Sequence, residues 1–382
     1  MAQRRNLLIG IAAIVIILVI AFVVTTGPSA TSGYSAGTGA IATPMLITDP
    51  PQVPNGTQSL VIAYSSVMAH VTGGTGSGWV NATGSGTVNL LSTVNTSKVI
   101  GYANISANST VNLVRFNITS ATITINGTSY NMSVPNGQLT VAVRSGSKIS
   151  ATTGVLVSIT PVVATVYTNN SVKFILAPAA RAAVVGNVSG SERTRLGASV
   201  NIGASDRAEL DSAAPNITIT SASVATSGNT TTLSVTVADN SNTSAVLRTL
   251  TVRGSLNTSV SAVAGVNASV AGNVNADLGG VDKAQLGSSE NALADIGMRI
   301  RSYGSLTFLI ASNGTIAMPS GEAEFEGGGY TLAPGSSATL NFSGVLGYNS
   351  GIYQVRPVSG SQYQIAVIGQ EDSFASTSVT AS

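Results

Sequence analysis

Catalysis by side chains needs titratable or nucleophilic groups held close together, and this sequence of 382 residues offers few. It has one histidine, no cysteine and 15 Asp plus Glu. A Ser-His-Asp triad would have to use His70, which lies in an apolar strand-like run. Asp49 is the only carboxylate between Met45 and Gly186. A half-buried strand histidine accounts for His70 more simply. Zinc-type ligation by His and Cys is excluded by number. The densest carboxylates are Glu322, Glu324 and Glu326, whose period-two spacing puts all three on one face of a strand. Such a row is either a solvated edge or a weak cation site, because like charges on one face repel. The glycine-rich stretches GGTGSG and GEAEFEGGGY lack the Lys-Ser/Thr of a phosphate loop and read as turns. Trp79, the sole tryptophan, follows the first of them and is a candidate either for ligand stacking or for core or edge packing. The expectation is a chain with no catalytic residues, no metal site and no cofactor.

The denser chemical signal is a modification motif. Asn-x-Ser/Thr occurs at Asn55, Asn81, Asn95, Asn104, Asn108, Asn117, Asn126, Asn131, Asn169, Asn187, Asn216, Asn229, Asn242, Asn257, Asn267, Asn313 and Asn341. These are 17 of 28 asparagines; a Ser/Thr share near a quarter of the chain would give about seven by chance. The motif marks exposed sites in exported chains, so all seventeen are glycosylation candidates.

Export is also written at the N-terminus. Arg4 and Arg5 precede the unbroken apolar run Leu7 to Val24, whose 18 residues span about 27 Å as a helix, close to the hydrocarbon thickness of a bilayer. The two arginines place the N-terminus inside and the bulk outside. A cleaved secretory signal is the competing reading, but the nearest small-residue pair, Ala40 and Ala42, lies far beyond the run. The expectation is a single-pass cell-membrane protein with a cytoplasmic N-terminus and an extracellular bulk.

Charged residues make up 8% of the chain, against about 25% in ordinary domains. With 43% hydrophobic residues, this composition points to folded β-structure. Six cations spread between Met45 and Gly186 form no run and no aromatic-interleaved patch, which excludes nucleic acid as a partner. A chain with few carboxylates has few groups to neutralise in acid, so an acidic habitat is expected, with stability that survives below about pH 4.

Turn chemistry divides the chain into short β segments. The strongest local signal is two alternating segments flanking Asn126-Gly127, a hairpin turn. Val155 to Val166 reads as one strand. Residues 28–43 are small and polar, a stalk. Residues 44–186 form a first β-sandwich, 187–215 a linker with one or two helical turns, and 216–382 a second β-sandwich. An insertion at about 257–303 carries a partly helical apolar stripe. The fold class is all-β: an N-terminal transmembrane helix, then two antiparallel β-sandwich domains.

The order LITDPP, a long strand ending near His70, GSGW, TVNLL, INGTSYNMSVPNG and VKFILAPAARAAV resembles a domain-of-unknown-function family of exported bacterial and archaeal surface proteins, many of them lipoproteins. Thr48, Asp49 and Pro51 match that family's Thr-Asp-x-Pro opening. The resemblance spans about residues 45–185 and implies a prealbumin-like sandwich in an extracellular setting, without catalytic residues. YTLAPGSSATLNF is similar, more loosely, to immunoglobulin-like surface modules.

Together these point to a membrane-anchored, glycosylated structural or adhesive surface protein without catalytic activity. The alternative is a module binding extracellular polysaccharide or another ligand near Trp79. The expected partners are the lipid bilayer through Leu7–Val24, and further copies or other envelope proteins, or polysaccharide.

Overall fold

Strands dominate the computed structural model, as β-branched and hydroxyl residues in alternation require. The structure describes residues 40–48, 53–74, 77–93, 96–143, 147–168, 171–186, 188, 195–201, 203–212, 214–260, 303–320, 324–325, 328–348 and 353–382. The Leu7–Val24 run, most of the stalk, the Asp49 and Pro51 of the opening motif and nearly all of the insertion lie outside these residues. Among the described residues no helix is long and apolar enough to cross a membrane.

The first group of strands makes two sheets. A five-stranded sheet runs β12 (Ala179–Val185), β9 (Gly154–Thr160), β1 (Ala40–Thr48), β5 (Ser97–Ser106) and β13 (Ser199–Val200). The other runs β10 (Val163–Thr168), β11 (Ser171–Leu176), β7 (Thr128–Ser133), β6 (Thr110–Ile125), β2 (Thr57–Thr72) and β3 (Gly78–Ala82). In it β4 (Gly86–Asn89) also pairs with β2, and β8 (Gln138–Ala142) with β6. Most pairs are antiparallel, but β1–β9 and β11–β7 are parallel, so the expected purely antiparallel arrangement is corrected to a mixed one. Parallel neighbours need long crossovers, and β1 and β9 are far apart in sequence. The two sheets share one core that includes Met45, Ile47, Leu60, Phe116 and Phe174.

Strand β2 shows how its sequence sorts two faces. Leu60, Ile62 and Tyr64 point inward, a register shift spans Tyr64 and Ser66, and Val67, Ala69 and Val71 again point inward. The bulge keeps both halves of a 16-residue strand in phase with the core. Met68 and His70 are thereby left on the outward face. In β9 every residue is buried, because the second face of the five-stranded sheet is also covered. There Leu46, Leu156 and Ala183 pack with Leu210 of α1 (Ala204–Ser212). The segment expected as a linker therefore supplies β13 and α1.

Val155 to Val166 is not one strand. It breaks at Pro161 into β9 and β10, which lie in different sheets. Proline removes a ladder donor, and here the chain uses the interruption to change sheet.

The second group makes three sheets: β14 (Ile217–Ser227), β15 (Thr230–Asp239) and β21 (Ser337–Gly344); β19 (Ile316–Ala317), β18 (Ser305–Ile310), β16 (Ala245–Arg253), β24 (Gln362–Gly369) and β25 (Phe374–Thr380), with β20 (Tyr330–Leu332) also on β16; and β17 (Leu256–Val260), β23 (Tyr353–Pro357) and β22 (Leu346–Tyr348). Their core contains Val235, Leu250, Phe308, Leu340 and Tyr363.

The two groups are not beads on a string. Tyr303 is 3% exposed and lies in the first core, with its ring 5.6 Å from Phe174 and its hydroxyl 3.3 Å from that of Tyr130. Phe325 packs with Ala164, Val166 and Ile175, and Ile368 with Val162 and Ala179.

Candidate functional site

Strand β3 starts at Gly78, the last residue of the GGTGSG stretch, and pairs antiparallel with β2, placing Trp79 opposite His70 and Asn81 opposite Met68. Alternation turns Val80 and Ala82 into the core and Trp79 and Asn81 outward. On the same face β6 sets Leu113 opposite His70 and Arg115 opposite Met68, and β8 sets Thr140 opposite Arg115. Two rows of residues thus cross the sheet side by side. The guanidinium carbon of Arg115 stands 4.3 Å from the centre of the Trp79 ring, a cation–π contact. The His70 ring meets the indole edge-on at 5.2 Å with an interplanar angle of 71°. Arg115 Nε donates to Thr140 Oγ1 at 3.4 Å, and Asn117 Nδ2 to Ser66 Oγ at 2.6 Å. His70 Nδ1 is buried and has no hydrogen-bond partner.

Trp79 is therefore neither a core residue nor a bare platform. It is half-buried on an outward face, braced by a cation and an imidazole. A flat π surface beside guanidinium donors can stack on the CH face of a sugar and hydrogen-bond its hydroxyls. His70 is the half-buried strand histidine that the sequence implied. Its neighbours in the two rows, Trp79, Leu113, Met68 and Arg115, include no carboxylate to orient it as a base.

The glycosylation candidates fall into three classes. Asn95, Asn169, Asn187 and Asn267 lie outside the described residues. Twelve of the other thirteen are exposed, in both groups of strands. Asn117 is half-buried, with its amide engaged by Ser66. Glu322 and Glu326 lie outside the described residues. Glu324 is not on a strand, as its period-two spacing implied, but in a helical turn with buried Phe325, where its carboxylate caps Ser320 N at 3.1 Å. Local capping won over alternation there. No group of three or more potential metal ligands occurs among the described residues.

A buried charge cluster stands apart from every candidate site singled out in the sequence. Asp372 sits in the turn joining β24 to β25 with φ of 57°, and it is 1% exposed. Ser158 Oγ of β9 donates to its Oδ2 at 3.2 Å, and Arg181 Nε of β12 lies 3.5 Å from the same oxygen. Arg181 Nη2 also donates to Asp211 Oδ1 of α1 at 2.9 Å. One carboxylate of the second group is thus held by residues of the first. Burial pushes the Asp372 carboxyl up from 3.8 to about 6, against the attraction of Arg181 and the hydroxyls of Thr160 and Ser158. The available signals were a single cation inside the apolar run APAARAAV and the acidic pair Glu371-Asp372 between two apolar strands in a charge-poor chain.

A DUF4382 domain, described as a domain of unknown function, is found over residues 43–178. The DUF4382 region runs from β1 through β11 and holds Trp79, His70 and Arg115, while Arg181 and Asp372 lie beyond it. No curated protein matches the chain.

Proposed function

We propose that this chain is a membrane-anchored, glycosylated cell-surface protein with a structural or adhesive role. It presents two β-sandwich modules, the first prealbumin-like and the second immunoglobulin-like. The observation that carries this reading is the exposure of twelve of the thirteen described sequon asparagines, distributed over both groups of strands. A chain with only 8% charged residues needs another source of surface hydration, and attached sugars supply it. The apolar Leu7–Val24 run behind Arg4 and Arg5 supports an outward-facing anchor. Intact-mass measurement on protein from native membranes, with protease shaving of whole cells, tests both parts. A mass equal to the bare polypeptide, or a bulk protected from protease in intact cells, refutes it.

A second reading is favoured by the braced indole: a module for extracellular polysaccharide, bound across Trp79, His70 and Arg115. Loss of polysaccharide binding in a folded Trp79→Ala variant supports it, whereas ordered lattice or polymers in isolated envelopes support the structural role.

A further inference from the structure

We infer that Asn81 is an occupied modification site whose first sugar packs on Trp79, Met68 and Arg115, so that the indole platform is the seat of the chain's own glycan. This rests on the glycosylation reading above. The sequence Trp79-Val80-Asn81-Ala82-Thr83 puts the indole two residues before the acceptor. On a strand that spacing places both side chains on one face, about 6.5–7 Å apart. The structure bears the geometry out: Asn81 is exposed, Trp79 half-buried, and Val80 and Ala82 buried between and beyond them. Across the sheet Asn81 faces Met68, and Met68 faces Arg115. A ring attached to Asn81 thus has an indole beside it along the strand and a thioether and a guanidinium across it.

The chemistry of this surface suits a hexosamine ring. Its CH face stacks on the indole and on the Met68 side chain, and its hydroxyls and acetamide accept from Arg115. Arg115 and His70 already hold the indole, and it still keeps part of its surface in solvent. Little further ordering is needed when the sugar docks. Covalent attachment makes the contact intramolecular, so a weak interaction suffices to fill the seat. An exchanging polysaccharide lacks that advantage and competes with a tethered occupant. The same aromatic spacing recurs at Tyr102 and Asn104 on β5, where the aromatic is also half-buried and the asparagine exposed. It provides an internal comparison.

The test is a double-mutant cycle on full-length protein made in its native host. Glycopeptide mass spectrometry first reads occupancy site by site. Asn81→Gln, Trp79→Ala and the double variant are then compared by equilibrium unfolding. Asn81 is expected to be occupied, and Asn81→Gln to lower the folding equilibrium constant about fivefold with Trp79 present and less than twofold without it. Trp79→Phe should retain part of the coupling, and it replaces Trp79→Ala if that variant does not fold. An unmodified Asn81 beside other occupied sequons overturns the seat and leaves the glycosylated reading standing. No occupied sequon removes both. Additive effects in the cycle, or Trp79-dependent capture of added polysaccharide by protein with bare Asn81, also overturn it.

Discussion

Replacing Asp372 with Asn should remove a pH dependence that the wild type carries between about pH 4 and 6. Asn is the suitable probe because the residue has φ of 57°, a conformation Asn tolerates, and because its carbonyl can still accept from Ser158. The carboxyl titrates at about 6 in the folded chain against 3.8 ordinarily. Since the folded value is the higher one, the folded state holds the proton through that interval and the unfolded state does not. The stabilisation is complete below about pH 3.8 and is lost as pH rises through about 6. The difference of 6 − 3.8, about 2.2 units, corresponds to ~3 kcal/mol at about 1.4 kcal/mol per unit. Other carboxylates titrate over the same range, so the quantity to read is the wild-type minus Asn difference. Urea unfolding of the full chain in mild detergent, followed by circular dichroism at pH 3.5, 5 and 7.5, gives it directly. Relative to the Asn variant, the wild type should lose ~3 kcal/mol between the first and last of these. Arg181→Met, which removes the attraction of the facing cation, should extend the upper end of the window above pH 6 and leave its lower end near 3.8. A difference that stays flat from pH 3.5 to 7.5 would refute the buried-carboxyl argument.

Tyr303→Ala should cost about 3–5 kcal/mol, since it empties a 3% exposed site against Phe174. The readout is the urea midpoint, together with faster proteolysis between the two groups of strands. Gly127→Ala should cost about 1–2 kcal/mol from backbone strain alone, because Gly127 has φ of 79° and open space where a Cβ would sit. An unchanged thermal midpoint would contradict it.

How much was legible in the sequence follows from how local each determinant is. Asn126 and Gly127 have φ of 49° and 79°, and the β6–β7 hairpin forms around them as their order implied. The all-β class was legible for the same reason: alternation and turn chemistry act over a few residues. Pro161 was visible too, but whether a proline bends one strand or moves the chain to another sheet depends on which partners wait on either side. Glu324 shows the opposite case, where period-two spacing implies a strand and a capping turn prevails.

The sequence by itself determined composition, the scarcity of catalytic groups, the candidate anchor and the identities of the sequon asparagines. Only the tertiary structure decided which of those asparagines face solvent. It alone brought Arg115 onto the Trp79 ring from 36 residues away and Ser158 onto Asp372 from 214 residues away. Sheet register and the packing of one group of strands on another set those neighbours. Both depend on long-range pairing energies that no local pattern records.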